Sequence, residues 1–202
     1  MKKKKFIIKA AILCTVSFML ISCNPLENDS LSNSILILKN LLGTDLEGNS
    51  SNYLQSDVLK VDEQTGASYV IADSATASFE VQLLNPDTAT TEPSQYNSIT
   101  LTHYIVSYSR TDGKNEPGKD VPYGFEGYMS TLIEVGTVST IAFIVVREVA
   151  KLEQPLVDLS EGRAEGVLQV IATIDFYGKD MLGNTVKASG QLTIYFANYN
   201  DS

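Results

Sequence analysis

The stretch LQVIATIDFYGKDMLGNTVKASGQLTIYFA, residues 168–197, decides the fold. Leu168, Val170, Ala172, Ile174 and Phe176 fall on alternate positions of its first arm. Val186, Ala188, Leu192, Ile194 and Phe196 do the same in the second. A two-residue period belongs to a strand with one face in a core and the other in water. The connection Gly178 to Asn184 carries Gly and Asn, residues for which a positive φ is cheap, so the two arms read as an antiparallel hairpin. Gly190 interrupts the second arm and marks a bulge or a close backbone contact.

The same period recurs upstream. Ala77, Phe79, Val81 and Leu83 alternate with Ser78, Glu80 and Gln82, and Asn85-Pro86-Asp87 ends that strand. After the polar segment through Thr91-Glu92-Pro93, a long strand is expected from Ser98 to Arg110. Ile99, Leu101, His103 and Ile105 lie on one side of it, and Thr100, Thr102, Tyr104, Val106 and Tyr108 on the other. Thr111-Asp112-Gly113 opens a loop that runs through Pro117-Gly118 to Pro122-Tyr123-Gly124. Strands follow at 128–135 and 138–147, joined at Gly136, with Ile141, Phe143 and Val145 as the core set of the second. Residues 147–165 lack clean alternation and read as a crossover between sheets, with a helical turn at Glu148–Glu153 before Pro155. Nearer the start, Ile35-Leu36-Ile37-Leu38 reads as a buried strand, Gly43 to Asn52 as a loop, and Leu54 to Val61 as a returning strand.

No stretch from residue 34 onward holds helical spacing for more than about two turns. The expectation is therefore an all-β body over residues 34–199, a single antiparallel β-sandwich of seven to nine strands. A barrel of the same strands is the alternative. The pattern resembles immunoglobulin-like and fibronectin type III-like modules of bacterial envelopes, without the Trp and paired cysteines of antibody domains.

The first 23 residues carry a different message. Lys2, Lys3, Lys4, Lys5 and Lys9 precede an apolar run from Ala10 to Ile21, and Leu20-Ile21-Ser22-Cys23 closes it. A basic start, a short apolar middle and a small residue at the end form a secretory signal, and a run of twelve residues is too short to span a bilayer. Leu-Ile-Ser-Cys resembles the lipobox of bacterial lipoprotein precursors. That resemblance implies a helical signal peptide over residues 1–22, cleavage between Ser22 and Cys23, and a diacylglyceryl group on the Cys23 thiol. In that family an aspartate after the cysteine retains the protein in the inner membrane of some diderm bacteria. Asn24 occupies that position here, which points to the outer membrane where the cell has one. Residues 23–33, CNPLENDSLSN, are polar and read as a flexible tether.

Composition bounds the function. The signal removes five of the 15 Lys and Arg and none of the 24 Asp and Glu, which leaves the remainder at about −14. Such a body does not grip nucleic acid or an anionic bilayer by charge. Of the two cysteines, Cys14 leaves with the signal and Cys23 takes lipid, so no intrachain disulfide is expected.

Catalysis has little to build on. The one histidine, His103, sits mid-strand and reads as structural; no Gly-x-Ser-x-Gly elbow or phosphate-binding loop is present. Zinc favours several Cys or His ligands, which this chain lacks after cleavage. Carboxylates group at Asp57/Asp62/Glu63, Asp112/Glu116/Asp120 and Asp175/Asp180, in no EF-hand spacing. Tyr104 and Tyr108, on one strand face, form a candidate binding face if exposed and a second core layer if covered. The expectation is a non-catalytic interaction or structural protein without metal or cofactor, held to the envelope membrane by the lipid on Cys23 and meeting a protein partner. A carbohydrate- or calcium-binding accessory module is the alternative, and a hydrolase using loop carboxylates the third reading.

Overall fold

The computed structural model describes residues 32–84 and 95–199. The expected signal, Ser22, Cys23, most of the tether and the Asn85–Pro93 segment lie outside these residues. In chain order the strands are β1 (Ser34–Thr44), β2 (Ser50–Ser51), β3 (Tyr53–Asp57), β4 (Lys60–Val61), β5 (Ser68–Tyr69), β6 (Asp73–Leu83), β7 (Ile99–Ser109), β8 (Phe125–Ile133), β9 (Val138–Val146), β10 (Leu168–Asp180) and β11 (Thr185–Ala197). Two short helices, α1 (Glu148–Lys151) and α2 (Leu156–Ser160), lie between β9 and β10.

A four-stranded sheet in the order β2-β1-β6-β9 faces a five-stranded sheet in the order β3-β11-β10-β7-β8; β4 and β5 form a separate small ribbon. β1, β6 and β9 against β7, β10 and β11 is the immunoglobulin-like arrangement, with β8 added beside β7. The two facing sheets hold nine strands, the upper end of the expected range. One ladder departs from the antiparallel rule: β3 pairs in parallel with β11, Tyr53 to Thr193 through Asp57 to Ala197. The chain reaches that position by leaving the first sheet after β1 and joining the second at β3.

The hairpin follows its sequence pattern. Val170, Ala172, Ile174, Phe176, Ala188, Leu192, Ile194 and Phe196 are buried, and Leu168 and Val186 are half-buried against the same core. Phe176 meets Phe79 edge-on at 4.8 Å and Phe143 at 5.1 Å, which locks the two sheets face to face. Gly190 is a close contact: a Cβ there would lie 2.5 Å from Leu38 Cδ2 and 3.0 Å from Leu41 Cδ2, across the core on β1.

Three sequence readings change. The strand at Ile35–Leu38 is half-buried, because β1 turns one face to water; Leu36 is buried but Ile35 is 43% exposed. Leu54–Val61 breaks into β3 and β4 where Val58 turns into the core. β7 changes face midway. Its pairing with β10 steps from Tyr177–His103 to Gly178–Leu101, so Thr102 is an extra residue, a β-bulge. Ile99 and Leu101 point inward before it, Tyr104, Val106 and Tyr108 after it, and His103 is turned to the outer face.

The crossover at 147–165 is present as α1 and α2. It is held by Lys151, whose Nζ donates to the Asp57 carbonyl at 2.7 Å and lies 2.9 Å from Asp73 Oδ2.

Candidate functional site

Tyr104 and Tyr108 are the first residues to place. Both are buried, so of the two readings the sequence leaves open, binding face or second core layer, they form the core layer. The bulge at Thr102 is the cause, since it puts the second half of β7 on the opposite parity. Tyr108 donates to the Val145 carbonyl at 2.6 Å, tying β7 to β9 across the sandwich. Tyr104 packs against Phe143 at 5.0 Å and against Phe125 at 6.2 Å. Burial raises the pKa of both phenols, as expected for groups that lose water on ionising.

The same bulge creates an aromatic site on the outer face of the five-stranded sheet. Register aligns Tyr128 of β8 with His103 of β7, His103 with Tyr177 of β10, and Tyr177 with Lys187 of β11. The four side chains form one row across four strands. The His103 and Tyr177 rings stack at 4.7 Å with planes 4° apart, and Tyr128 follows at 6.2 Å. Lys187 Nζ sits 5.4 Å from the centre of the Tyr177 ring, a cation–π contact at the end of the row. Tyr128 is 79% exposed.

Charges frame the row. Asp175 accepts from Ser189 Oγ at 2.6 Å and pairs with Lys187 at 2.9 Å. The Ser189 hydrogen bond, with help from Lys187, holds the Asp175 carboxyl below its usual range; Asp175 in turn raises the pKa of Lys187. On the far side Glu126 Oε1 lies 4.0 Å from His103 Nε2, and its hydrogen bond to Tyr128 raises that phenol's pKa. His103 Nδ1 is 2.9 Å from Thr102 Oγ1. His103 is thus half satisfied within the sheet and half presented to the surface. The row offers ring faces, a cation and two carboxylates on a rigid scaffold, which suits recognition of a polar surface or a sugar.

His103 is legible in the sequence as a mid-strand histidine. Tyr128, Tyr177, Lys187, Asp175 and Glu126 join it only through the fold. The signal for Tyr177 and Lys187 was their position on the polar side of the hairpin, where a large aromatic and a lysine are directly opposite.

The carboxylate groupings have other occupations. Asp62 accepts from the Gln64 and Thr65 amides, Asp112 pairs with Arg110, and Asp180 accepts from the Leu182 and Asn184 amides. Among the described residues no three His, Cys, Asp or Glu gather as a metal-binding group. A cavity of about 290 Å³ opens near Asp45, Asp57, Lys60 and Asp73. Beneath it Ser56 Oγ donates to Asp73 Oδ2 at 2.6 Å, and Lys151 pairs with the same carboxylate. Ser56 and Lys151 are fully buried, so this Ser–Asp–Lys set fastens the crossover and presents no nucleophile to solvent. Among the described residues no helix is long and apolar enough to cross a membrane.

Compared with protein-family models and with curated proteins, the chain matches none.

Proposed function

We propose that the chain is a lipid-anchored β-sandwich of the bacterial cell envelope, with an interaction or structural role in place of catalysis. The observation that carries this reading is Leu20-Ile21-Ser22-Cys23 behind five lysines and ahead of a polar tether. Each buried acyl methylene contributes about 0.8 kcal/mol, so two or three chains on Cys23 hold an acidic, water-compatible body at a membrane surface. Asn24 favours the outer membrane in a diderm cell. The partner contact is assigned to the Tyr128–His103–Tyr177–Lys187 row, where exposed aromatic area and charge coincide on a rigid sheet.

The test has two readouts. Cys23→Ser moves the protein from the membrane fraction to the soluble or unprocessed pool; unchanged partitioning removes the anchor. A photo-crosslinker at position 128 captures a defined envelope protein, and Tyr177→Ala with Lys187→Ala abolishes that capture without unfolding the body. Capture that survives those changes rejects the row as the contact.

One observation favours a second reading. The exposed Tyr128 ring beside Glu126 also suits a sugar ring stacked on the aromatic with hydroxyls bound by the carboxylate. Binding of envelope polysaccharides that is lost in Tyr128→Ala, with no protein captured, selects the carbohydrate-binding module.

A further inference from the structure

The two sides of the sandwich are finished differently. On one side the chain itself closes the gap, crossing from β1 in the first sheet to β3 in the second. On the other side, among the described residues, both sheets end on open strands, β9 in the first and β8 in the second. Among the described residues β9 pairs as a strand only with β6, along one of its two edges; Tyr108 holds the Val145 carbonyl, just beyond the run Val138–Ile144. A free edge presents a row of unpaired backbone N–H and C=O groups, and proteins commonly guard such edges with Lys, Pro, bulges or inward charges.

β9 has little of that protection. From Val135 to Val146 the sequence VGTVSTIAFIVV contains no charged residue and no proline. Its single irregularity lies at the far end, where Asp73 pairs with Val146 but Ser74 with Ile144. The run from Val138 to Ile144 is regular and exposes Val138 at 61% and Ile144 at 41% of their surface. On its other face Phe143 is buried and Ile141 is half-buried in the core.

We propose that β9 is a self-association edge, pairing antiparallel with β9 of a second copy about a two-fold axis through Ile141. Three observations select a copy of this chain as the occupant. An antiparallel pair centred on Ile141 sets Val138 opposite Ile144, so the two exposed apolar side chains of the strand cover each other. It sets Thr140 opposite Ala142 and Ser139 opposite Phe143, which keeps outer residues on the outer face and core residues toward the cores. The edge is also neutral in a chain of net charge −9, so it is a surface at which two copies meet without like-charge repulsion. The product is one continuous eight-stranded sheet with a closed, isologous interface. This inference is independent of the lipid anchor.

Register-specific crosslinking tests it. The full chain carrying Cys14→Ser and Cys23→Ser, in mild detergent, is prepared as a Val138→Cys form and a tagged Ile144→Cys form. In the paired state residue 138 of one copy lies opposite residue 144 of the other, within disulfide reach, whereas two copies of residue 138 are about 20 Å apart. Oxidation of the mixture gives a mixed disulfide-linked dimer in yield on the order of tenfold above either form alone. Sedimentation of the cysteine-free parent gives a concentration-dependent dimer, and Ala142→Lys returns it to monomer while its circular dichroism stays that of the parent. Equal crosslinking of mixed and single forms overturns the register. A monomer at every concentration, with no mixed dimer, overturns self-pairing and hands the edge to an extended segment of a different protein.

Discussion

Lys151 Nζ lies 2.9 Å from Asp73 Oδ2, with no part of the lysine side chain reaching solvent. The pair joins α1 to the first residue of β6, and the Asp57 carbonyl takes a second hydrogen bond from the same ammonium. Removing the lysine leaves the Asp73 carboxylate, only 14% exposed at the cavity wall, without its cation. Lys151→Met should therefore lower stability by about 3–5 kcal/mol. Adding Asp73→Ala should recover part of that loss, giving a coupling of about 0.5–3 kcal/mol in a double-mutant cycle read by urea unfolding.

Phe176 is fully buried and touches Phe79, Phe143 and Tyr104. Its ring joins strands of both sheets, so its loss leaves a cavity in the middle of the sandwich. Phe176→Ala should cost about 3–5 kcal/mol. Phe176→Leu should cost clearly less, with both measured as shifts of the denaturation midpoint at constant m-value.

Gly127 gives the Tyr104 ring its place. A Cβ at this position would sit 2.3 Å from Tyr104 Cζ, and that ring is packed against Phe143 and Phe125. Gly127→Ala should destabilise by about 1–3 kcal/mol through overpacking. Tyr104→Leu in the same chain should relieve part of it; a purely additive double variant would show that the clash is absorbed elsewhere.

Asp180 supplies a pH dependence. Burial pushes its carboxyl upward, but hydrogen bonds from the Asn184 side chain, the Asn184 amide and the Leu182 amide outweigh this and hold it below the ordinary 3.8. A depressed folded pKa contributes stability that is complete above 3.8 and lost as pH falls through the folded value. Asp180→Ala should cost about 1–3 kcal/mol at neutral pH, from lost charge-assisted bonds in the hairpin turn. The gap between variant and parent should narrow steadily below 3.8 in acid-titrated urea unfolding.

Much of the fold was legible because its strands alternate. Ala77, Phe79 and Val81 and both arms of the closing hairpin are buried as their period predicts. Less legible were features made by a single inserted residue or by long-range register. Thr102 looks like any polar strand residue, yet as a bulge it carries Tyr104 and Tyr108 into the core and His103 out of it. No local pattern predicts that Tyr128, His103, Tyr177 and Lys187 share a row, because strand pairing over long sequence separations brings them together. Lys151 was read as part of a helical turn, and only packing determines that its charge is enclosed. The parallel β3–β11 ladder was equally hidden, since five residues of strand carry no mark of their partner's direction.

The handover from β1 to β3 has a mechanical consequence. Ser34 Oγ donates to the Asn97 carbonyl at the pole where β7 begins, whereas Asp57 and Ala197 pair at the opposite pole. Tension drawn between Ser32 and Tyr199 thus runs along the strand axes. It loads the β1–β6 and β3–β11 ladders in shear, so their hydrogen bonds must yield together and not one after another.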